Sequence, residues 1–155
     1  MMAIQEFLSF ILDEEEYAVP ILDVREVRGW SNVRSVPNSP SYLNGVLEIR
    51  GEYVPIVDLR KRFNLEPAGI NATTVVIVLN DTHGQPLGII VDAVSEVYAL
   101  DTDDIKPAPN MSLTVDKNFI VGIVPAKEGH VILINLEALF NVAELNNLSE
   151  EKALM

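Results

Sequence analysis

No cysteine occurs among the 155 residues, which excludes a disulfide framework and any thiolate metal site. Histidine is almost as scarce. His83 and His130 each lie in a polar turn beside glycine, and neither has a Ser, Cys or carboxylate at a catalytic spacing. Positive charge is thin as well, with 11 Lys and Arg against 23 Asp and Glu for a net charge of −12. A phosphate-binding surface needs clustered cations, so nucleic-acid binding is disfavoured and partners with basic or mixed surfaces are favoured. The one cationic cluster, Arg60-Lys61-Arg62, closes an apolar run and reads as a solvated turn. Glycine-rich phosphate loops and nucleophile elbows are absent. Asp101-Thr-Asp-Asp104 opens like a calcium loop, but Lys106 and Ser112 occupy the sixth and twelfth positions where Gly and an acid are required. The expectation is a protein with no metal, no cofactor and no catalytic residues.

Long apolar runs are also missing. No stretch approaches a membrane span, and the first apolar segment is cut by Ser9 and closed by acids at 13–16, unlike a secretory signal. A cytoplasmic location is expected, and the sequons at Asn71, Asn110 and Asn147 then carry no glycan. Hydrophobic residues nevertheless make up 48% of the chain. A chain of this size can bury roughly 70% of the surface that it exposes when unfolded.

The apolar residues are arranged as many short runs rich in Val and Ile, bounded by Gly, Pro, Asn or Asp. That pattern belongs to strands of a sandwich or barrel. Residues 74–79 and 131–134 are continuous rather than alternating, as expected of strands covered on both faces. Gly51 and Gly129 mark hairpin turns. Helix is expected only in short pieces, at 58–63, at 135–140 and at the C-terminal end.

Most of these strands come in duplicate. Residues 42–63 and 119–140 superimpose without a gap at an offset of 77, placing Tyr42 on Phe119, Gly45 on Gly122, Val54 on Val131, Leu59 on Leu136 and Phe63 on Phe140. Upstream, 17–27 align with 87–97 at an offset of 70, each followed by a Pro-containing connection. A unit of strand, turn, strand, Pro loop, strand, turn, strand is thus used twice, and a doubled β unit without catalytic polar residues points to a scaffold. Arg50, before Gly51, is the residue type enriched at interface hot spots.

Several strings carry a family resemblance over about residues 7–140. They are Tyr17-Ala-Val-Pro-Ile-Leu-Asp-Val-Arg-Glu-Val27, Pro40-Ser-Tyr-Leu-Asn-Gly-Val46, Arg50-Gly51, Val54-Pro-Ile-Val-Asp-Leu-Arg60, Gly88-Ile-Ile-Val-Asp-Ala-Val-Ser-Glu-Val97 and Ile105-Lys-Pro-Ala-Pro109. The chain resembles the CheW family of bacterial chemotaxis coupling proteins. The family's G-V-x-N-L-R-G reads here Gly45-Val-Leu-Glu-Ile-Arg-Gly51, with Glu48 in place of Asn. The resemblance implies a mainly β fold of two SH3-like five-stranded β-barrel lobes with short helices, forming one domain over 1–155. Lobe 1 is expected at about 14–72, and lobe 2 at about 73–145 plus the N-terminal strand 5–13. Residues 146–155 form a tail or short helix.

The resemblance further implies a non-catalytic adaptor between chemoreceptor cytoplasmic tips and the regulatory domain of a CheA-type histidine kinase, held at membrane-associated receptor arrays through its partners without inserting into the membrane. Receptor contacts would fall on Val24, Glu26, Gly45, Arg50, Thr74, Val75 and Val76. Kinase contacts would fall on Val33, Val36 and Val54, with Lys106 and Met111 in a second, ring-closing contact. A coupling protein of a pilus-motility or other chemosensory pathway would carry the same strings. From a different class, a free-standing ligand-binding β-barrel is the alternative.

Overall fold

The computed structural model describes residues 3–30, 35, 37–38, 40–66, 69–81, 83–107, 117–126 and 129–139. Ten strands form two five-stranded sheets. In chain order they are β1 (Ile4–Leu12), β2 (Glu15–Pro20), β3 (Val24–Gly29), β4 (Leu43–Ile49), β5 (Glu52–Asp58), β6 (Val75–Asn80), β7 (Pro86–Val91), β8 (Ala93–Asp101), β9 (Ile120–Ala126) and β10 (Gly129–Ile134). Two one-turn helices follow the second hairpin of each half, α1 (Leu59–Arg62) after β5 and α2 (Leu136–Leu139) after β10. The continuous apolar runs of β6, β7 and β10 are interior strands with nearly every residue buried, as their unbroken hydrophobicity requires.

The repeat is visible strand by strand. One sheet runs β8-β1-β2-β10-β9 and the other β3-β6-β7-β5-β4, the same order once β3, β6, β7, β5 and β4 are matched to β8, β1, β2, β10 and β9. Register is duplicated too. Gly45↔Ile56, Leu47↔Val54 and Ile49↔Glu52 recur as Gly122↔Leu133, Val124↔Val131 and Ala126↔Gly129, and both hairpins bulge just before the glycine. Val24↔Leu79, Val27↔Ile77 and Arg28↔Val76 recur as Val94↔Phe10, Val97↔Leu8 and Tyr98↔Phe7. Phe140, the last residue of the second copy, lies outside the described residues, as does the C-terminal segment 141–155.

The lobe boundaries differ from those expected at 72 and 73. β1 and β2 pair with β8, β9 and β10, while β6 and β7 pair with β3, β4 and β5. Each half of the chain therefore lends its first hairpin to the other half's sheet. Parallel pairing of β2 with β10 and of β7 with β5 fixes the exchange. The sequence repeat is blind to it, because either assignment of the hairpins presents the same apolar pattern.

Three apolar clusters result. Phe7, Ala18, Leu100, Val124, Val131 and Leu133 fill the first lobe, formed by the β1 sheet and corresponding to the expected lobe 2. Ile49, Val54, Ile56, Val76, Val78 and Ile90 fill the second lobe, formed by the β3 sheet. The largest cluster lies on the opposite faces of both sheets and joins them. Phe10, Leu12, Tyr17, Leu59, Phe63, Ile77, Leu79, Leu87 and Ile132 belong to it. Phe10, Tyr17, Phe63 and Phe119 form a continuous aromatic chain there, with successive centroids 5.9, 5.7 and 5.2 Å apart.

Closure of the first lobe uses a backbone bridge between Lys106 and Ile123, with N–H···O distances of 2.9 and 2.8 Å. Gly122 permits it, since a Cβ there would stand 2.5 Å from the Lys106 carbonyl oxygen. The Arg60-Lys61-Arg62 triplet is not the solvated turn expected. Arg60 makes a paired contact with Asp92 at 2.5 and 2.9 Å, reaches Asp13 at 3.6 Å and donates to the Glu66 carbonyl at 2.7 Å. Arg62 lies over the rings of Tyr42 and Phe119, 4.2 and 4.9 Å from their centroids. Both side chains cover the seam between lobes, and their partners are too distant in sequence for a local reading to find.

Candidate functional site

β3 is the edge strand of its sheet, and β4 is the opposite edge. The sheet curls so that β3 meets the β4–β5 turn. Arg25 Nη1 lies 2.7 Å from Glu52 Oε2, and Arg50 Nη1 lies 4.0 Å from Glu26 Oε1. Arg50 and Gly51 form a two-residue hairpin loop with φ of 51° and 84°, both positive as a type I′ turn requires. The turn fixes the Arg50 backbone while its side chain stays 80% exposed.

Glu26 is the electrostatic centre of this edge. Its side chain is 21% exposed, with Arg50 on one side and Arg28 Nη1 at 3.6 Å on the other. Neither distance is that of a formed hydrogen bond. Glu26 Oε1 is shielded from solvent and has no hydrogen-bond partner. A carboxylate that is partly desolvated and incompletely bonded favours a further hydrogen-bond donor.

Apolar surface borders this charge. Val27 is 44% exposed and Tyr53, in the strand after the turn, is 59% exposed. Val24 and Val27 pair with Leu79 and Ile77, so they share the face that joins the lobes, whereas Glu26 pairs with Val78 on the other face. The edge thus offers valine on one face and, on the other, a carboxylate near an exposed guanidinium. Val27 and Tyr53 were not singled out from sequence. Their signal was an apolar residue between charged ones, which reads equally well as a buried position.

The expected receptor residues separate into groups. Glu26 and Arg50 come together, with Val24 near them on β3. Val75 pairs with Gly29 at the far end of that strand and is half-buried. Thr74 is buried, its hydroxyl accepting from the Asn71 N–H at 3.0 Å, and Gly45 is buried within β4. Val76 is 1% exposed inside the second lobe, which corrects its assignment as a contact residue. Val54 is corrected in the same way, being 0% exposed in that cluster. In both cases strand alternation turns the side chain inward. Lys106 is exposed beside the closing bridge of the first lobe. Val33, Val36 and Met111 lie outside the described residues.

Among the described residues, no group of His, Asp and Glu side chains is gathered closely enough to hold a metal ion. No helix among them is long and apolar enough to cross a membrane.

The family model described as CheW-like domain matches residues 6–144. Chemotaxis protein CheW of Klebsiella aerogenes is 41% identical over 142 residues, covering 91% of this chain and 84% of the relative. A probable chemotaxis protein CheW of Rhizobium etli is 36% identical over 140 residues, covering 90% of each. Among solved structures, the scaffolding protein TtCheW of Thermoanaerobacter tengcongensis superimposes with a TM-score of 0.82 at 33% identity, over 91% of this chain and 90% of that one.

Proposed function

Because the chain belongs to the CheW-like family, we propose that it is a non-catalytic chemotaxis adaptor that couples chemoreceptor tips to a CheA-type histidine kinase. The supporting observation is the β3 edge, where Glu26 and Arg50 stand 4.0 Å apart beside exposed Val27. A receptor tip is a helical hairpin. Its apolar positions would lie on the valine strip, and a polar group on the helix would complete the bonding of Glu26 or meet Arg50. Val24 and Val75 border that strip.

The kinase regulatory domain would dock elsewhere. Lys106, on the first lobe's closing bridge, is the exposed candidate for one contact, with Met111 beyond it in sequence. Val33 and Val36 are candidates for the other. Separate surfaces allow one molecule to hold two partners together and raise their effective concentration for each other. No chemical step is required for that role. The protein would work in the cytoplasm, reaching receptor arrays through its partners.

Calorimetric titration with a receptor tip fragment and, separately, with the kinase regulatory domain tests the reading. Saturable binding of both is the expected result. Binding of neither, with the protein folded, would overturn it.

A further inference from the structure

The two lobes close by different means. In the first lobe the edge strand β9 is held by the backbone bridge between Ile123 and Lys106. In the second lobe, among the described residues, β3 and the β4–β5 hairpin are not hydrogen-bonded neighbours. A side-chain bond crosses between them instead, with Arg25 Nη1 donating to Glu52 Oε2 at 2.7 Å.

Both partners sit at irregular points of the backbone. Arg25 is the extra residue of β3, where the register shifts between Val24 and Glu26. A bulge in an edge strand re-aims its side chain. Arg25 is thereby turned to the hairpin, while Glu26 keeps its ladder place opposite Val78. Glu52 directly follows the Arg50-Gly51 loop and pairs with Ile49 across it. The ion pair therefore grips the hairpin beside Arg50. By the offsets of 70 and 77, Ser95 stands where Arg25 does in the other copy, and Gly129 where Glu52 does. Neither can form an ion pair, so this link is confined to the lobe that carries the Glu26–Arg50 edge.

We propose that Arg25 is a positioning residue for that edge, which through Glu52 holds the β4–β5 loop against β3 and sets the approach of Arg50 to Glu26. The role rests on the receptor-docking reading given above. Arg50 holds the loop weakly by itself, being 80% exposed and 4.0 Å from Glu26. The Arg25–Glu52 contact is at hydrogen-bond distance and charge-assisted, and is the firmer of the two links. Its members are 32% and 52% exposed, so it adds little to the stability of the fold. Its effect is local. A contact shifts an equilibrium between loop positions by no more than its own energy, and an exposed ion pair is limited to about fivefold.

The test pairs a measurement on the free protein with one on the complex. Backbone amide relaxation of the isotope-labelled full chain should show greater mobility at residues 50–52 in Arg25→Ala, with the melting temperature almost unchanged. Calorimetric titration with a receptor tip fragment should show about two- to fivefold weaker binding for Arg25→Ala and for Glu52→Ala. The double variant R25A/E52A should lose no more than either single one, because both remove the same contact. Arg25→Lys, which keeps the ion pair, should behave like the parent in both measurements. Unaltered loop mobility in Arg25→Ala would overturn the proposal. So would a loss of binding in Arg25→Ala that Glu52→Ala does not share, since Arg25 would then touch the receptor itself. A parent protein that binds no receptor fragment would overturn the docking reading and this role with it, whereas strong parent binding with unaffected variants would overturn this role alone.

Discussion

Arg50 illustrates how a residue can be fixed in backbone and free in side chain. Its positive φ is set by the hairpin, while its head is exposed and holds Glu26 only at 4.0 Å. Arg50→His shortens the reach and removes most of the charge at neutral pH. Receptor-fragment affinity should fall by tenfold or more, corresponding to about 2 kcal/mol for a lost charge-assisted contact. The melting curve should be nearly unchanged, because exposed positions contribute within about 0.5 kcal/mol. Equal loss of receptor and kinase binding, or a collapsed melting transition, would mean that Arg50 serves the fold. Arg60 is the opposite case. Its bond to Asp92 holds the guanidinium above its ordinary pKa, against the burial that opposes it. Burial pushes the Asp92 carboxyl upward, but the Arg60 side chain and the Asp13 N–H outweigh it and hold it below the usual range. A depressed carboxyl pKa stabilises the fold above its unfolded value, near 4, and that stability is lost as pH falls through the folded value. Asp92→Asn should therefore destabilise the protein at pH 7, by about 2 kcal/mol, and flatten the loss of stability below about pH 4. Denaturant melts of both proteins across that range would show it. From sequence Arg60 reads as part of a solvated turn, since it too follows an apolar strand. The difference comes from partners: Arg60 meets Asp92 and Asp13 across the seam, contacts created only when the lobes join.

At the scale of elements, the hairpins were the most legible part of the chain. The β4–β5 and β9–β10 pairs carry the same bulge and the same glycine because identical spacing of apolar residues and turns demands identical register. The helical ends were legible for the same reason. Asp58 caps α1 by accepting from the Arg60 and Lys61 N–H groups, and Asn135 occupies the matching position before α2. The exchange of the first hairpins was only partly legible: the family resemblance put strand 5–13 with the later strands, but β2 and the β6–β7 hairpin were misplaced, since their positions are decided by parallel pairing between segments far apart in sequence. Val54 and Val76 show the matching limit within the site. Both sit in strands of the sheet that carries the candidate edge, but their facing is set by pairing and not by proximity in the chain. Gly122 offers the test at this scale. Gly122→Ala would drive a methyl to 2.5 Å from the Lys106 oxygen and 2.7 Å from Ile105 Cγ2, forcing the closing segment outward. A loss of about 1–3 kcal/mol is expected from such overpacking. Gly129→Ala meets nothing within 4 Å and should change stability little. Parallel urea melts compare them, and equal effects would contradict the role given to the bridge.

Over the whole molecule, two copies of one β unit have become unequal. The interior is shared and nearly symmetric, from Tyr42 and Phe119 flanking Arg62 to the paired registers of both sheets. The surface is where the copies diverge. One copy carries Arg50-Gly51 in its hairpin loop, where the other has Lys127-Glu128 by the same offset, replacing the glycine with an acid. One side of the seam is locked by Arg60 and Asp92, where the repeat offsets put Glu137 and Leu22 on the other. An adaptor gains from such divergence, because a symmetric core can present different surfaces to different partners without a separate fold for each. The central claim is that the receptor and kinase surfaces are separate and usable together. Sedimentation velocity of a mixture of this protein, a receptor tip fragment and the kinase regulatory domain tests it most directly. The expected result is a ternary species heavier than either binary complex, with each partner bound as tightly in the presence of the other as alone. Mutually exclusive binding, seen as two binary complexes and no ternary one, would contradict the claim.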